Sequence, residues 1–197
     1  MNQENTVKYY PAPSKKLAIV QTADGVITLW NLEYKKSLAD LDHGCTLSEA
    51  VFSPEESVFA TVTAVKWNQS RLRLWDSETG KLVRELHAFE KTVCERIFRP
   101  LWSPDGNYLF AATKSHSFFT SESVSVWNLK TGKHHGELIG CPTRTIGLVI
   151  LRDGTKIVTG GADGKIRFWD TRSTIALIRS FEDSLQSHGL MSNAEGQ

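Results

Sequence analysis

Several groups of residues in this chain are of types that do chemistry. Ser115, His116 and Ser117 stand together, with Asp105 upstream. They supply the nucleophile, base and orienting acid that a hydrolase needs. The run Gly160 to Lys165, GGADGK, raises a phosphate loop, in which glycine amides cradle phosphate and Lys neutralises it. That pattern needs Gly five residues before Gly164, where Thr159 stands, and Ser or Thr after Lys165, where Ile166 stands. It fails at both positions, and Asp163-Gly164 reads better as a tight turn. His134 and His135 are metal-ligand types, but adjacent strand residues point to opposite faces. They read as solvated or interface histidines. Cys45, Cys94 and Cys141 would share a zinc only with their sulfurs within about 4 Å, given Zn–S bonds of about 2.3 Å. Trp67, with Lys66 and Arg71, offers a ring and two cations that could stack on RNA.

The elements that would position these residues come from a repeat. Trp precedes Asn or Asp at Trp30-Asn31, Trp75-Asp76, Trp127-Asn128 and Trp169-Asp170. One residue before each Trp stand Leu29, Leu74, Val126 and Phe168, and three before stand Ile27, Leu72, Val124 and Ile166. Between them lie the polar Thr28, Arg73, Ser125 and Arg167. Such alternation predicts a strand with one apolar face, and the Trp adds an aromatic to the other. "DSETG" and "NLKTG" supply a turn, and eleven residues past the Trp come Leu41, Leu86 and Leu138, each after an acid. The fourth copy departs there, with Ser180 and Phe181.

Upstream, "PAPSKKLAIV", "FSPEESVFATV", "WSPDGNYLFAA" and "ILRDGTKIVTG" each read as a strand end, a turn and an apolar strand. Each repeat is therefore four short antiparallel strands, a to d. Ala23-Asp24-Gly25 and Ala162-Asp163-Gly164 read as tight b–c turns with Gly at positive φ. Copies two and three carry longer insertions there, Thr63 to Arg71 and Thr113 to Ser123. The Trp-to-Trp spacings are 45, 52 and 42, near the roughly 40–45 residues of a four-stranded propeller blade.

The Trp-Asp pairs, the "SPDG" turn and "GGADGKIRFWD" resemble the WD-repeat family of β-propellers. The resemblance covers about residues 5 to 182. It implies an all-β propeller of four-stranded antiparallel blades, about four of them, forming an incomplete ring. The expected blades are about 5–42, 45–88, 93–139 and 144–182, with 183–197 a disordered tail. In this family the Trp shares hydrogen bonds with a strand-b Ser or Thr, a turn Asp and a His from the d–a loop. Copy four offers Thr159 and Asp163, and copy one offers Asp24 with Thr22 as a third member. His43 and His87 precede copies two and three. No copy has the whole set, so the blades should be less uniform than consensus ones.

Four blades use up the chain, at the lower end of the roughly four to eight of known propellers. An open arc leaves apolar faces uncovered. The chain is then a piece of a longer protein, the preferred reading, or it pairs to complete a ring, or it closes alone.

Placed on blades, the chemistry thins out. Asp105 falls in an a–b turn and His116 in a b–c turn, at opposite ends of a blade, so no hydrolase forms. The three cysteines fall in successive d–a connections and read as structural thiols. We therefore expect no enzyme, no cofactor and no metal site. The resemblance implies a protein-protein interaction scaffold that binds partner proteins or peptides on the b–c/d–a rim. Trp67, Arg71, Arg96, His116, Phe118, Phe119 and Arg144 belong to that rim, and aromatics and Arg are enriched in binding hot spots. Alternatives are a regulatory or substrate-docking piece of a larger kinase- or NTPase-type enzyme, and an RNA-associated factor.

With 23 Lys and Arg against 22 Asp and Glu, no global field draws in nucleic acid. The odd, scattered cysteines fit a reducing compartment. The first residues carry no apolar signal core, and no apolar run is long enough to span a membrane. The expected location is cytoplasmic, with the nucleus left open.

Overall fold

In a computed structural model the chain is all β. The structure describes residues 8–41, 44–66, 69–87, 95–115, 122–138, 145–151 and 153–171. Blade 1 holds β1 (Lys8–Pro11), β2 (Leu17–Gln21), β3 (Ile27–Asn31) and β4 (Lys36–Asp40). Blade 2 holds β5 (Thr46–Phe52), β6 (Val58–Lys66), β7 (Gln69–Asp76) and β8 (Leu82–Leu86). Blade 3 holds β9 (Glu95–Trp102), β10 (Tyr108–Ser115), β11 (Glu122–Asn128) and β12 (Lys133–Leu138). Blade 4 shows β13 (Thr145–Ile150), β14 (Lys156–Gly161) and β15 (Ile166–Asp170) among the described residues. Each sheet is an antiparallel meander whose spatial order follows the sequence. No helix among the described residues is long and apolar enough to cross a membrane.

Alternation decides which side chains meet. In blades 1 to 3 the residues one and three before the Trp face the next blade, and in blades 2 to 4 the Trp faces the previous one. Ile27 and Leu29 of blade 1 share a buried cluster with Phe59 and Trp75 of blade 2. Leu72 and Leu74 of blade 2 pack with Trp102 and Trp127 of blade 3. Val124 and Val126 of blade 3 pack with Leu148 and Ile157 of blade 4, and Trp169 leans on the same cluster. Leu41, Leu86 and Leu138 are buried in these three junctions. Burial of such side chains contributes about 1.5–3 kcal/mol each. Among the described residues no buried cluster joins blade 4 to blade 1.

The residue after the Trp has its own task. Asp76 Oδ1 accepts from the Thr79 N–H at 2.7 Å and from its hydroxyl at 2.6 Å. Asn128 Oδ1 accepts from the Lys130 and Thr131 amides, and Asn31 Oδ1 from the Tyr34 amide. Asp and Asn interchange there because a short side-chain oxygen closes the c–d turn. The expected b–c turns form at Gly25 (φ 89°) and Gly164 (φ 75°).

The insertion of copy two is strand over most of its length, and that of copy three is strand at both of its described ends. The β6–β7 ladder continues to Lys66↔Gln69, and the β10–β11 ladder to Lys114↔Glu122. Backbone pairing extends because neither segment carries a Gly or Pro to stop it earlier.

Candidate functional site

The indole N–H groups find three kinds of acceptor. Trp75 and Trp169 donate to strand-b threonines, Thr61 at 2.8 Å and Thr159 at 2.9 Å. The register places Val20 and Ala111 at the equivalent positions of blades 1 and 3, where no hydroxyl exists. Trp30 turns instead to Thr28 on its own strand, at 2.6 Å. Trp127 donates to the main-chain carbonyl of His87 at 3.0 Å. Thr22, Asp24 and Asp163 therefore do not play the role expected of them. Thr22 donates its hydroxyl to Asp24 within the turn. Asp163 forms a 2.6 Å ion pair with Arg167, which holds its carboxyl well below the usual range. Both carboxylates lie too far along the hairpin to reach the indole. His87 contributes through its backbone, and His43 lies outside the described residues.

Of the two readings, solvated or interface, His134 and His135 take the second, and they point to opposite faces as expected. His134 meets the Trp127 ring edge-on at 5.7 Å, on the side of blade 2, and His135 meets Tyr108 at 5.7 Å, on the side of blade 4. His135 is the extra residue where β12 slips against β11. Burial, with a smaller push from His135, lowers the His134 pKa to about 4.

Asp105 is committed to its turn. It accepts from the Asn107 amide at 3.1 Å and side chain at 2.8 Å, and from the Ser103 hydroxyl. These bonds outweigh its partial burial and lower its pKa. Ser115 ends β10 at the other edge of the blade, roughly 25 Å away at about 3.3 Å per strand residue. The structure thus keeps apart the residues of the hydrolase constellation that it describes. Cys45 is a partly buried thiol beside β5. Cys94 and Cys141 lie outside the described residues.

The b–c ends of the hairpins and the starts of the next strands a lie on one rim, and two clefts open there between adjacent blades. The larger, about 520 Å³, lies between blades 2 and 3 and is lined by Ser48, Glu49, Gln69, Ser70, Arg96 and Phe98, among others. The smaller, about 420 Å³, lies between blades 1 and 2, beside Gln21, Val26, Cys45 and Thr46. Glu49 lines the larger cleft. Its carboxylate accepts from the Arg99 amide of blade 3 at 2.9 Å. Arg99 reaches it from a left-handed backbone (φ 56°) at a bulge in β9. Tyr10 of blade 1 donates to the Ser48 carbonyl at 2.6 Å, and burial, then the Glu49 charge, raises its pKa. Three blades are tied together at this point.

Of the expected rim residues, two are described. Arg96 is exposed in the larger cleft. Arg71 lies near the start of β7, partly exposed and 3.8 Å from Glu85, which also takes a 3.0 Å bond from Arg73. Trp67, His116, Phe118, Phe119 and Arg144 lie outside the described residues. Glu49 was missed by sequence reasoning. Its only local signal was a charge inside an otherwise strand-like segment, "TLSEAVF".

Four-stranded antiparallel sheets, stacked so that each indole is pressed on its neighbour's apolar face, are the blades of a β-propeller. Residues 132–170 match the family model of the WD domain, G-beta repeat. A coronin-like protein of Saccharomyces cerevisiae is 27% identical over 169 residues, 83% of this chain and 24% of the relative. Cross-pathway control WD-repeat protein 2 of Flammulina velutipes is 31% identical over 130 residues, 64% of this chain and 37% of the relative. The small ribosomal subunit protein RACK1 of Medicago sativa is 27% identical over 132 residues, 60% of this chain and 37% of the relative. The chain thus carries a match to a WD repeat at residues 132–170 and is similar to these relatives over 60% to 83% of its length. It spans between 24% and 37% of the length of these relatives.

Proposed function

We propose that this chain is a non-catalytic scaffold that presents its b–c/d–a rim to partner proteins or peptides. The observation that carries this reading is the pair of interblade clefts on one rim, the larger holding an exposed Arg96 and the Glu49 carboxylate. Such a surface recognises charge and hydrogen-bonding groups. The strand ladders hold it rigid, so little ordering entropy is lost when a partner binds. Arg71 and Arg96, with Trp67, His116, Phe118, Phe119 and Arg144, form the contact set. The work is cytoplasmic. The Medicago sativa relative is by name a subunit protein of a larger assembly, a role in keeping with this one.

Quantitative affinity capture tests the reading. The wild type is compared with Arg71→Glu/Arg96→Glu, with Phe118→Ala/Phe119→Ala, and with Lys133→Glu on the opposite rim. The two rim variants should lose the same partners while remaining folded, and Lys133→Glu should keep them. Loss with Lys133→Glu alone assigns binding to the other rim and rejects the proposal.

A further inference from the structure

The rim opposite the clefts carries the a–b and c–d turns, and on blade 1 those turns are basic. Lys15 and Lys16 stand in the a–b turn, and Lys35 and Lys36 at the end of the c–d turn. All four are exposed, and none forms an ion pair among the described residues. The two turns abut. The Leu32 amide donates to the Lys16 carbonyl at 2.7 Å, and Leu17, Asn31 and Lys36 lie in one cross-strand row. Strands about 4.8 Å apart put the two lysine pairs about 10 Å apart across the sheet. Tyr34 stands beside them, 69% exposed, with the Lys36 ammonium 5.9 Å from its ring centre. Glu33 is the one acid in these two turns.

The neighbouring blades do not share this pattern. The positions of Lys15, Lys16, Lys35 and Lys36 hold Glu56, Ser57, Gly80 and Lys81 in blade 2, and Gly106, Asn107, Gly132 and Lys133 in blade 3. Lys15 and Lys35 have φ of 59° and 50°, a left-handed backbone that Gly106 and Gly132 adopt in blade 3 without a side chain to strain. Blade 1 keeps lysine at both places despite that cost, and strain retained at exposed positions points to a use for the side chains. The turns are also held firmly. Glu56 of blade 2 accepts from the Ser14 amide and hydroxyl, both at 2.6 Å, and Asn31 closes the c–d turn. Blade 2 then reverses the charge, with Glu55, Glu56 and Glu78 against Lys81.

We propose that this patch is a second docking surface, independent of the cleft rim, and that it takes a short acidic segment of a partner protein. The lysines set the sign of the ligand, and the acidic border sets its size. A patch about 10 Å across faces roughly three or four residues of extended peptide, at about 3.3 Å each. A flat anionic bilayer or a long nucleic acid runs on to the acidic turns of blade 2 and is repelled there. Tyr34 adds an apolar ring with a polar tip, a type that anchors interfaces.

Fluorescence anisotropy of the folded chain with fluorescein-labelled hexaglutamate tests the inference. Wild type should bind at about 50 mM salt and more weakly at about 150 mM, as screening shortens the reach of exposed charges. Lys15→Ala/Lys16→Ala and Lys35→Ala/Lys36→Ala should each weaken binding about fivefold, and Tyr34→Ala about threefold. Lys130→Ala/Lys133→Ala, on blade 3 of the same rim, should change it less than about twofold. Lys15→Gly/Lys35→Gly should also weaken binding while Tm holds or rises, because glycine relieves the left-handed turns. No binding by wild type overturns the proposal. So does an equal loss in the blade 3 variant, which makes the attraction diffuse, and so do losses that track a fall in Tm. Vesicles of about one-third phosphatidylserine, or a single-stranded oligonucleotide, bound more tightly than the peptide through the same lysines, reassign the patch and overturn it.

Discussion

Blades 3 and 4 present the same pattern on strand c and meet opposite fates. Val124 and Val126 are fully buried, whereas Ile166 and Phe168 are among the most exposed apolar side chains in the molecule. The difference is not in the strands. Both are antiparallel, both alternate, and both place a Trp on the far face. It lies in whether a neighbour stands opposite. Blade 3 has blade 4 to cover it, while nothing described covers blade 4. Burial, the largest favourable contribution in folding, is thus a property of the junction and not of the repeat.

The contrast can be broken by mutation, most strongly at the indoles. Trp127→Ala should cost about 3–5 kcal/mol, since it empties a buried site and removes the bond to the His87 carbonyl. Trp169→Ala, at a half-buried site, should cost about half as much. Urea unfolding of both variants checks the ratio, and equal losses would mean that blade 4 is covered after all. The apolar face should divide in the same way. Leu72→Ala should cost about 2–5 kcal/mol. Ile166→Ala, at an exposed site, should change stability by less than about 0.5 kcal/mol.

Polar partners give smaller effects. Thr61→Val leaves the buried Trp75 N–H without its acceptor and should cost about 1–3 kcal/mol. Thr159→Val should cost less, because Trp169 is only half-buried and water reaches its indole more readily. Thermal melting of the two variants ranks them.

Two pH effects sharpen the comparison further. His134 has a folded pKa of about 4, below the roughly 6.5 of an unfolded histidine. The unfolded chain therefore binds the proton first. The stability due to neutral His134 is complete above pH ~6.5 and is lost as pH falls toward the folded pKa. His134→Gln should flatten the stability profile across that window. Asp163 gives the smallest effect. Its hydrogen bonds with Arg167 hold the carboxyl below its ordinary value, so its contribution is present above about pH 4 and lost on further acidification. Arg167→Gln should remove that last acid slope and leave the shape of the profile above about pH 5 unchanged.

Much of the fold could be read from the chain because its signals are local and repeated. Alternation around Trp30, Trp75, Trp127 and Trp169 fixes strand c, and Asp-Gly fixes two of the b–c turns. The insertion around Lys66 was misread as a loop, because polar residues in a two-residue-wide extension of a ladder look like loop composition. Thr159 was assigned to Trp169 correctly, whereas Thr22 was misassigned to Trp30 because the register decides which strand-b residue lies beneath the indole. Val20 and Ala111 stand where Thr61 and Thr159 stand in the other blades. Arg71, expected in a b–c insertion, lies within β7, and Arg96 lies near the start of β9. Glu49 was not legible in the sequence, since its importance comes from an amide contributed by another blade.

By itself the sequence determined the repeat, the strands, the turns and which face of each strand is apolar. These depend on side-chain alternation and on backbone preferences within a few residues. Only the tertiary structure decided which faces are covered, which acceptor each indole reaches, and where the rim opens into a cleft. Those depend on contacts between blades some forty residues apart in the chain, and on there being no described neighbour beyond the fourth.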